Sequence, residues 1–224
     1  MLTPLSSNEA HVWQATLDQI NAAQQLLSPD ELARAARFKF ERDQQRYITA
    51  HAMLRRILAG YANCAPAELR FEINAFGKPH LVGIAGIHFN LSHSQDVVVV
   101  AVANVAVGVD VEHIRPLPDL LDMAQHFFRA DETETLRQLS PDLQPSAFFR
   151  AWVRKEAYLK ATGAGLSSGL DAIRVHIGPQ AGIGVWEPLD ARWQVQELPA
   201  LPLHVCALAT DISVQRVKTF SFEH

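Results

Sequence analysis

The chain has 224 residues, 48% of them hydrophobic, with a formal net charge of −4 and a pI near 6.2. That length suits one large domain or two small ones sharing a core, and the apolar content excludes a disordered tail protein. With no global basic field, generic nucleic-acid binding is a poor fit, so any anion site has to be local. Cys64 and Cys206 lie far apart without CxxC spacing, which points away from a disulfide framework or a thiolate metal site and towards a reducing cytoplasm. Residues 1–9 show no basic stretch followed by an apolar one, so no secretory signal is expected. The longest apolar run, 97–109, is too short to span a bilayer and is rich in β-branched residues; it reads as two strands meeting near Asn104.

In chain order, 11–17 alternates and predicts a strand with Trp13, Ala15 and Leu17 on one face. Ser28-Pro29-Asp30-Glu31 then predicts a helix start, with Ser28 as cap, Pro29 at the first helical position and Glu31 closing a capping box. A second helix is predicted over 42–61, where Tyr47, Met53, Leu54, Ile57, Leu58 and Tyr61 recur at helical spacing, and Pro66 marks its exit. Extended segments follow at 69–73, 88–91 and 97–103, with a turn at 76–79. The second half repeats that order: a strand at 105–112, helices near 120–128 and 146–161, and strands near 173–177, 193–197, 204–209 and 217–220. The fold class expected is α+β, as two similar halves, 1–104 and 105–224, related by an ancient duplication.

Chemistry concentrates in two places. Along 105–112, Val105, Val107, Val109 and Val111 fall on one face, and Ala106, Gly108, Asp110 and Glu112 on the other. The small-then-acidic face leaves room for a ligand beside two oxygen donors. Either a positive group meets those carboxylates or the strand surfaces at Asp110 into water. On the helix after Pro145, Trp152, Glu156 and Lys160 share one stripe, and Gly163 suits a left-handed cap. That stripe reads either as an exposed Glu-to-Lys pair or, since it carries a tryptophan, as a partly buried face on which Glu156 needs a counter-ion. Three carboxylates with lysines beside them suit a magnesium ion holding a pyrophosphate.

Phe89-Asn90-Leu91-Ser92-His93-Ser94 reads as a polar turn whose hydroxyl, imidazole and N–H donors can hold a phosphate, or as a self-bonded Ser/Asx turn. Activation of Ser92 by its neighbour His93 is disfavoured, because adjacent residues on an extended chain point to opposite faces. Arg34, Arg37, Lys39, Arg42 and Arg46 form a basic stretch that a solvated helix face would also explain. The ten histidines form no HExxH or similar pair at metal spacing.

Four segments in register, Phe-Gly-Lys-Pro at 76–79, Phe-Asn-Leu-Ser-His-Ser at 89–94, Gly-Val-Asp-Val-Glu at 108–112 and Trp-Val-Arg-Lys-Glu-Ala-Tyr-Leu-Lys at 152–160, resemble the 4′-phosphopantetheinyl transferases of the surfactin-synthetase-activating (Sfp) type. The resemblance runs from Arg37 to Gly165, and the length suits the monomeric, internally duplicated members. It implies transfer of the phosphopantetheine arm of coenzyme A to a serine of an apo acyl or peptidyl carrier protein, releasing adenosine 3′,5′-bisphosphate. It assigns Asp110, Glu112 and Glu156 to Mg²⁺ and gives Glu156, Lys160 and Asp110 the catalytic roles. Arg34, Arg37, Arg46, Gly77, Lys78, Ser92, His93, Lys155 and Lys160 are expected along coenzyme A. Glu132 has a family counterpart without an assigned role. Where the family prototype has a lysine near the 3′-phosphate this chain has Glu31, so recognition of that phosphate would fall to Arg34, Arg37 or Arg46. The rival readings are a Mg²⁺-dependent nuclease or pyrophosphohydrolase, and a non-catalytic module that binds carrier proteins or coenzyme A.

Overall fold

A computed structural model describes residues 4–21, 23–163, 169–178 and 191–222; Gly165, the far end of the resemblance, and residues 1–3 of the N-terminal stretch lie outside them. The first strand, β1 (Glu9–Thr16), is followed by helix α1 (Pro29–Ala35) and the long helix α2 (Glu41–Ala62). Ser28 and Glu31 form the expected capping box at α1, and Asn63, in the left-handed region, ends α2. A hairpin of β2 (Phe71–Ile73) and β3 (Pro79–Leu81) leads to β4 (His88–Ser94) and β5 (Val97–Ala103). The segment expected to be a polar turn at 92–94 is instead the end of β4, paired antiparallel with β5 through Ser94 opposite Val97.

After a turn at Asn104 come β6 (Val107–His113), helices α3 (Leu120–Phe127), α4 (Ala130–Gln138) and α5 (Gln144–Thr162), then β7 (Trp193–Leu198), β8 (His204–Asp211) and β9 (Arg216–Ser221). Residues 173–177, expected as a strand, join no sheet among the described residues, apart from an isolated bridge at Arg174. The strands form a four-stranded sheet in the order β4-β5-β1-β9, a three-stranded sheet β6-β8-β7 and the β2-β3 hairpin.

The layering follows from which side chains each strand gives to each face. Val98, Val100 and Val102 of β5, with Trp13 and Ala15 of β1, pack on Met53, Leu54, Ile57 and Leu58 of α2. The alternate residues Val97, Val99, Ala101 and Ala103 meet Val107, Val109 and Val111 of β6 and Cys206 and Leu208 of β8. A strand buried on both faces has no polar face to present, which is why β5 reads as an unbroken apolar run. The other face of the second sheet, Val205, Ala207, Ala209 and Val195, packs against Val153, Ala157 and Ala161 of α5. The order through the protein is therefore α2, first sheet, second sheet, α5. Among the described residues no helix is long and apolar enough to cross a membrane.

Candidate active site

The site begins with Gly108. A side chain there would place its Cβ 2.1 Å from the Ala157 carbonyl oxygen and 2.3 Å from the Ala161 nitrogen, so α5 lies directly on the strand and only glycine fits between them. With α5 that close, the acidic face of β6 looks straight at the Glu156–Lys160 stripe. Lys160 Nζ donates to Asp110 Oδ1 at 2.5 Å and to Ser92 Oγ at 3.1 Å, and Ser92 Oγ donates to the same Asp110 oxygen at 2.8 Å. Asp110 is buried, and its Oδ2 has no hydrogen-bond partner among the described residues. Glu112, one pleat along, accepts from Ser94 Oγ at 2.8 Å and lies 3.8 Å from Arg115.

Burial raises the pKa of Glu156 to about 7, with repulsion from Asp110 and Glu112 adding to the shift and Lys160 opposing it. Glu112 is raised for the same first reason, burial, partly offset by the Ser94 bond and then reinforced by Asp110. Three carboxylates drawn together, with one buried oxygen lacking a hydrogen-bond partner among the described residues, form a set short of positive charge and match the hard oxygen donors Mg²⁺ prefers. Among the described residues no three His, Cys, Asp or Glu groups are drawn into a ready-made metal cluster; the ammonium of Lys160 takes up one Asp110 oxygen instead.

Glu156 and Lys160 open on a cavity of about 640 Å³ whose other walls include Phe76, Gly77, Lys78, Asn90, Leu91 and Gly163. Lys78 Nζ donates to Val107 O at 3.0 Å and Ala161 O at 3.1 Å, tying the hairpin turn to β6 and α5, and burial lowers its pKa to about 8. His93 projects from the α2 side of β4. Burial lowers its pKa first, followed by the positive neighbours His51, Lys160 and Arg46. Arg46 is held in a two-bond fork by Asp18, at 2.8 and 2.6 Å. Arg34 and Arg37 line a separate cavity of about 630 Å³ with Asp30, Ala33 and Phe38, and Arg34 also lies over the Tyr47 ring.

One expected site residue points elsewhere. Lys155 is fully buried on a flank of α5 turned away from the cavity, where its ammonium bonds Glu132 at 2.7 Å, Leu170 O at 3.0 Å and Ile173 O. It follows Arg154 and precedes Glu156, and a 100° turn per residue carries it away from the Glu156–Lys160 stripe. Its partner Glu132 also accepts from the backbone N–H groups of Arg129 at 2.9 Å and Val175 at 2.7 Å, so the pair anchors the 170–175 segment. Asn90 and Ser94 belong to the polar segment expected to hold a phosphate, but their bonds to the β6 backbone and to Glu112 were not foreseen; their alternation with Ser92 was the available signal.

Two family profiles match the chain. The 4′-phosphopantetheinyl transferase superfamily covers residues 106–209, and the N-terminal region of a 4′-phosphopantetheinyl transferase covers residues 11–105. The chain is 41% identical over 183 residues to the 4′-phosphopantetheinyl transferase HetI of a Nostoc species, covering 78% of this chain and 77% of that one. It is 36% identical to the 4′-phosphopantetheinyl transferase psf-1 of Bacillus pumilus (72% and 71% covered) and 30% identical to the 4′-phosphopantetheinyl transferase Sfp of Bacillus subtilis (70% of each). The chain belongs to the 4′-phosphopantetheinyl transferase superfamily, and within it to the Sfp type.

Proposed function

We propose that this protein transfers the 4′-phosphopantetheine arm of coenzyme A to the serine hydroxyl of an apo acyl or peptidyl carrier protein, leaving adenosine 3′,5′-bisphosphate, and does so at the meeting of β6 and α5. The observation that carries this placement is the convergence of Asp110, Glu156 and Lys160 beside a cavity walled by Gly77 and Lys78. Asp110, Glu112 and Glu156 would hold Mg²⁺, which supplies neutralising charge for the pyrophosphate. Such a transfer asks for positioning and charge stabilisation more than for covalent help.

Glu156 takes the proton of the carrier serine directly or through one water. Lys160 stabilises the charge that builds on the leaving bisphosphate as the phosphoanhydride opens. His93 and Arg46, both on the α2 side of β4, receive the phosphates of the nucleotide, and Gly77 and Lys78 line its base end. Arg34 and Arg37 extend the basic surface towards the 3′-phosphate that Glu31 does not serve. The two halves, related by a pseudo-twofold axis, act as one monomer in the cytoplasm; each lays one long helix on a sheet, antiparallel in the second half and mixed in the first through the β1-β9 pair, and the two family profiles meet between 105 and 106.

The test is intact-mass spectrometry of an apo carrier after incubation with the protein, coenzyme A and Mg²⁺, beside an EDTA control. A metal-dependent gain of one phosphopantetheine group is expected from the native chain. None is expected from Asp110→Ala, whose circular dichroism and thermal midpoint should stay near native. Turnover by a folded Asp110→Ala protein would sink the assignment of the site. Coenzyme A cleaved without carrier modification would favour a hydrolase, and binding without any turnover a carrier-recognition module.

A further inference from the structure

Strand β4 turns Asn90, Ser92 and Ser94 towards β6, at the rim of the apolar contact between the two sheets. Polar residues are unexpected beside such a contact unless each is bonded. Here they do for β6 what a neighbouring strand's backbone would do. Asn90 Oδ1 accepts from Val109 N at 2.8 Å, Ser92 Oγ from Val111 N at 3.4 Å, and Ser94 Oγ from His113 N at 3.1 Å. β6 pairs with β8 along its other edge, so these alternate N–H groups are the ones its own ladder leaves over.

The two serines do a second job in the same geometry. A hydroxyl has one proton to donate and lone pairs to accept with. Ser92 accepts from Val111 N and donates to Asp110; Ser94 accepts from His113 N and donates to Glu112, each at 2.8 Å to the carboxylate. Each carboxylate is thereby fixed relative to the main chain one residue beyond it. The acidic strand belongs to the second half of the chain, and the comb that orients it belongs to the first.

We propose that Ser94 is a positioning residue that holds Glu112 in the orientation required to bind Mg²⁺. This rests on the reading of Asp110, Glu112 and Glu156 as the metal's ligands. Ser94 isolates the effect better than Ser92, which also touches Lys160 at 3.1 Å. The cations that act on Glu112 are held less closely, Arg115 at 3.8 Å on a half-exposed side chain and Lys160 through space, so the Ser94 hydroxyl is its short tether. Groups that orient a metal-binding side chain are commonly worth about 10- to 100-fold in metal affinity.

The experiment measures Mn²⁺ affinity by electron paramagnetic resonance on the full chain with coenzyme A and no carrier, so that nothing turns over. Ser94→Ala is expected to weaken Mn²⁺ binding about tenfold, and Ser94→Thr, which keeps the hydroxyl, to restore most of it. In a Glu112→Gln background the Ser94→Ala change should add no further loss. Thermal midpoints are recorded alongside, because a purely structural serine would lower stability without this dependence on Glu112. Native affinity in Ser94→Ala, together with lost affinity in an Asp110→Asn control, would overturn the inference alone. Native affinity in both would overturn the metal assignment and this inference with it. An equal loss with and without Glu112 would show that Ser94 acts through the fold.

Discussion

Glu31 shows how a carboxylate among cations can be a structural element instead of a defect in anion binding. It accepts from Ser28 N at 2.8 Å, Arg55 at 2.8 Å and His51 Nδ1 at 3.1 Å. Burial works against its charge, yet His51, the Ser28 N–H and Arg55 together bring its pKa down to about 2. A carboxylate whose folded pKa is depressed contributes stability above its unfolded value, near 4.5, and that contribution is lost as the pH falls towards 2. Glu31→Gln should therefore cost about 2–3 kcal/mol at pH 7, with the gap to the native protein closing between about pH 4.5 and pH 2 in urea titrations. A constant gap across that range would mean the charge of Glu31 is not what matters. The capping role was legible from Ser28 and the spacing to Glu31; the bonds to His51 and Arg55, some 20 residues away on α2, were not.

Lys155 makes the complementary point. Adjacent to Glu156 and as basic in the sequence as Lys160, it is separated from the site by one helical step. Replacing it with methionine leaves Glu132 buried without its cation, a loss of about 3–5 kcal/mol. The expected signature is a large drop in urea midpoint with the KM for coenzyme A unchanged in the protein that remains folded. A raised KM with normal stability would return Lys155 to the substrate.

At the scale of elements, strands and helices with a strong apolar period were readable, and those held by side-chain bonds were not. The strand at β5 and the long helices α2 and α5 fall where their patterns predict, within a residue or two at most ends. Helix α4, ADETETLRQ, has only Leu136 as a large apolar residue, so it lacks the period that reveals a helix. Residues 173–177 have the alternation of a strand, with Ile173, Val175 and Ile177 buried, yet their backbone is satisfied by Glu132, Lys155 and Arg154 instead of a ladder. The comb on β4 is the same device. An alternating burial pattern shows which side chains point inward, and does not show whether a strand or a side chain meets the backbone edge.

Gly108 is the joint between β6 and α5. Gly108→Ala brings a methyl group into the helix backbone at 2.1 Å, where no flexible side chain can yield. We expect α5 to shift, a stability loss of about 1–3 kcal/mol or more, and a fall in kcat larger than stability alone explains, because Glu156 and Lys160 move with the helix. Wild-type kcat in a folded Gly108→Ala protein would show that the close approach is not needed for chemistry.

At the scale of the whole molecule, the last strand of the second half closes the sheet of the first. β9 runs parallel to β1, with Phe220 stacked on Trp13 at 4.5 Å and Arg216 and Lys218 bonded to the buried Glu9 at 2.8 and 3.0 Å. A chain ended at Gln215 would expose the β1 edge and leave Glu9 without its cations. Its thermal midpoint should fall by on the order of 10 °C, taking roughly 3–5 kcal/mol lost at about 2–4 °C per kcal/mol. Aggregation through the bared edge should follow. An unchanged midpoint would show that β9 is dispensable to the first sheet.

The sequence by itself determined the family, the α+β class, the long helices and the acidic strand, because four local motifs and two hydrophobic periods are properties of short segments. Only the tertiary structure decided that Gly108 brings α5 onto β6, that Ser92 and Ser94 reach across to Asp110 and Glu112, that Lys155 turns inward, and that β9 joins β1. The physical reason is that each of these joins residues 15 to about 210 positions apart, and such pairings are fixed by how layers pack rather than by any pattern that a local window of sequence contains.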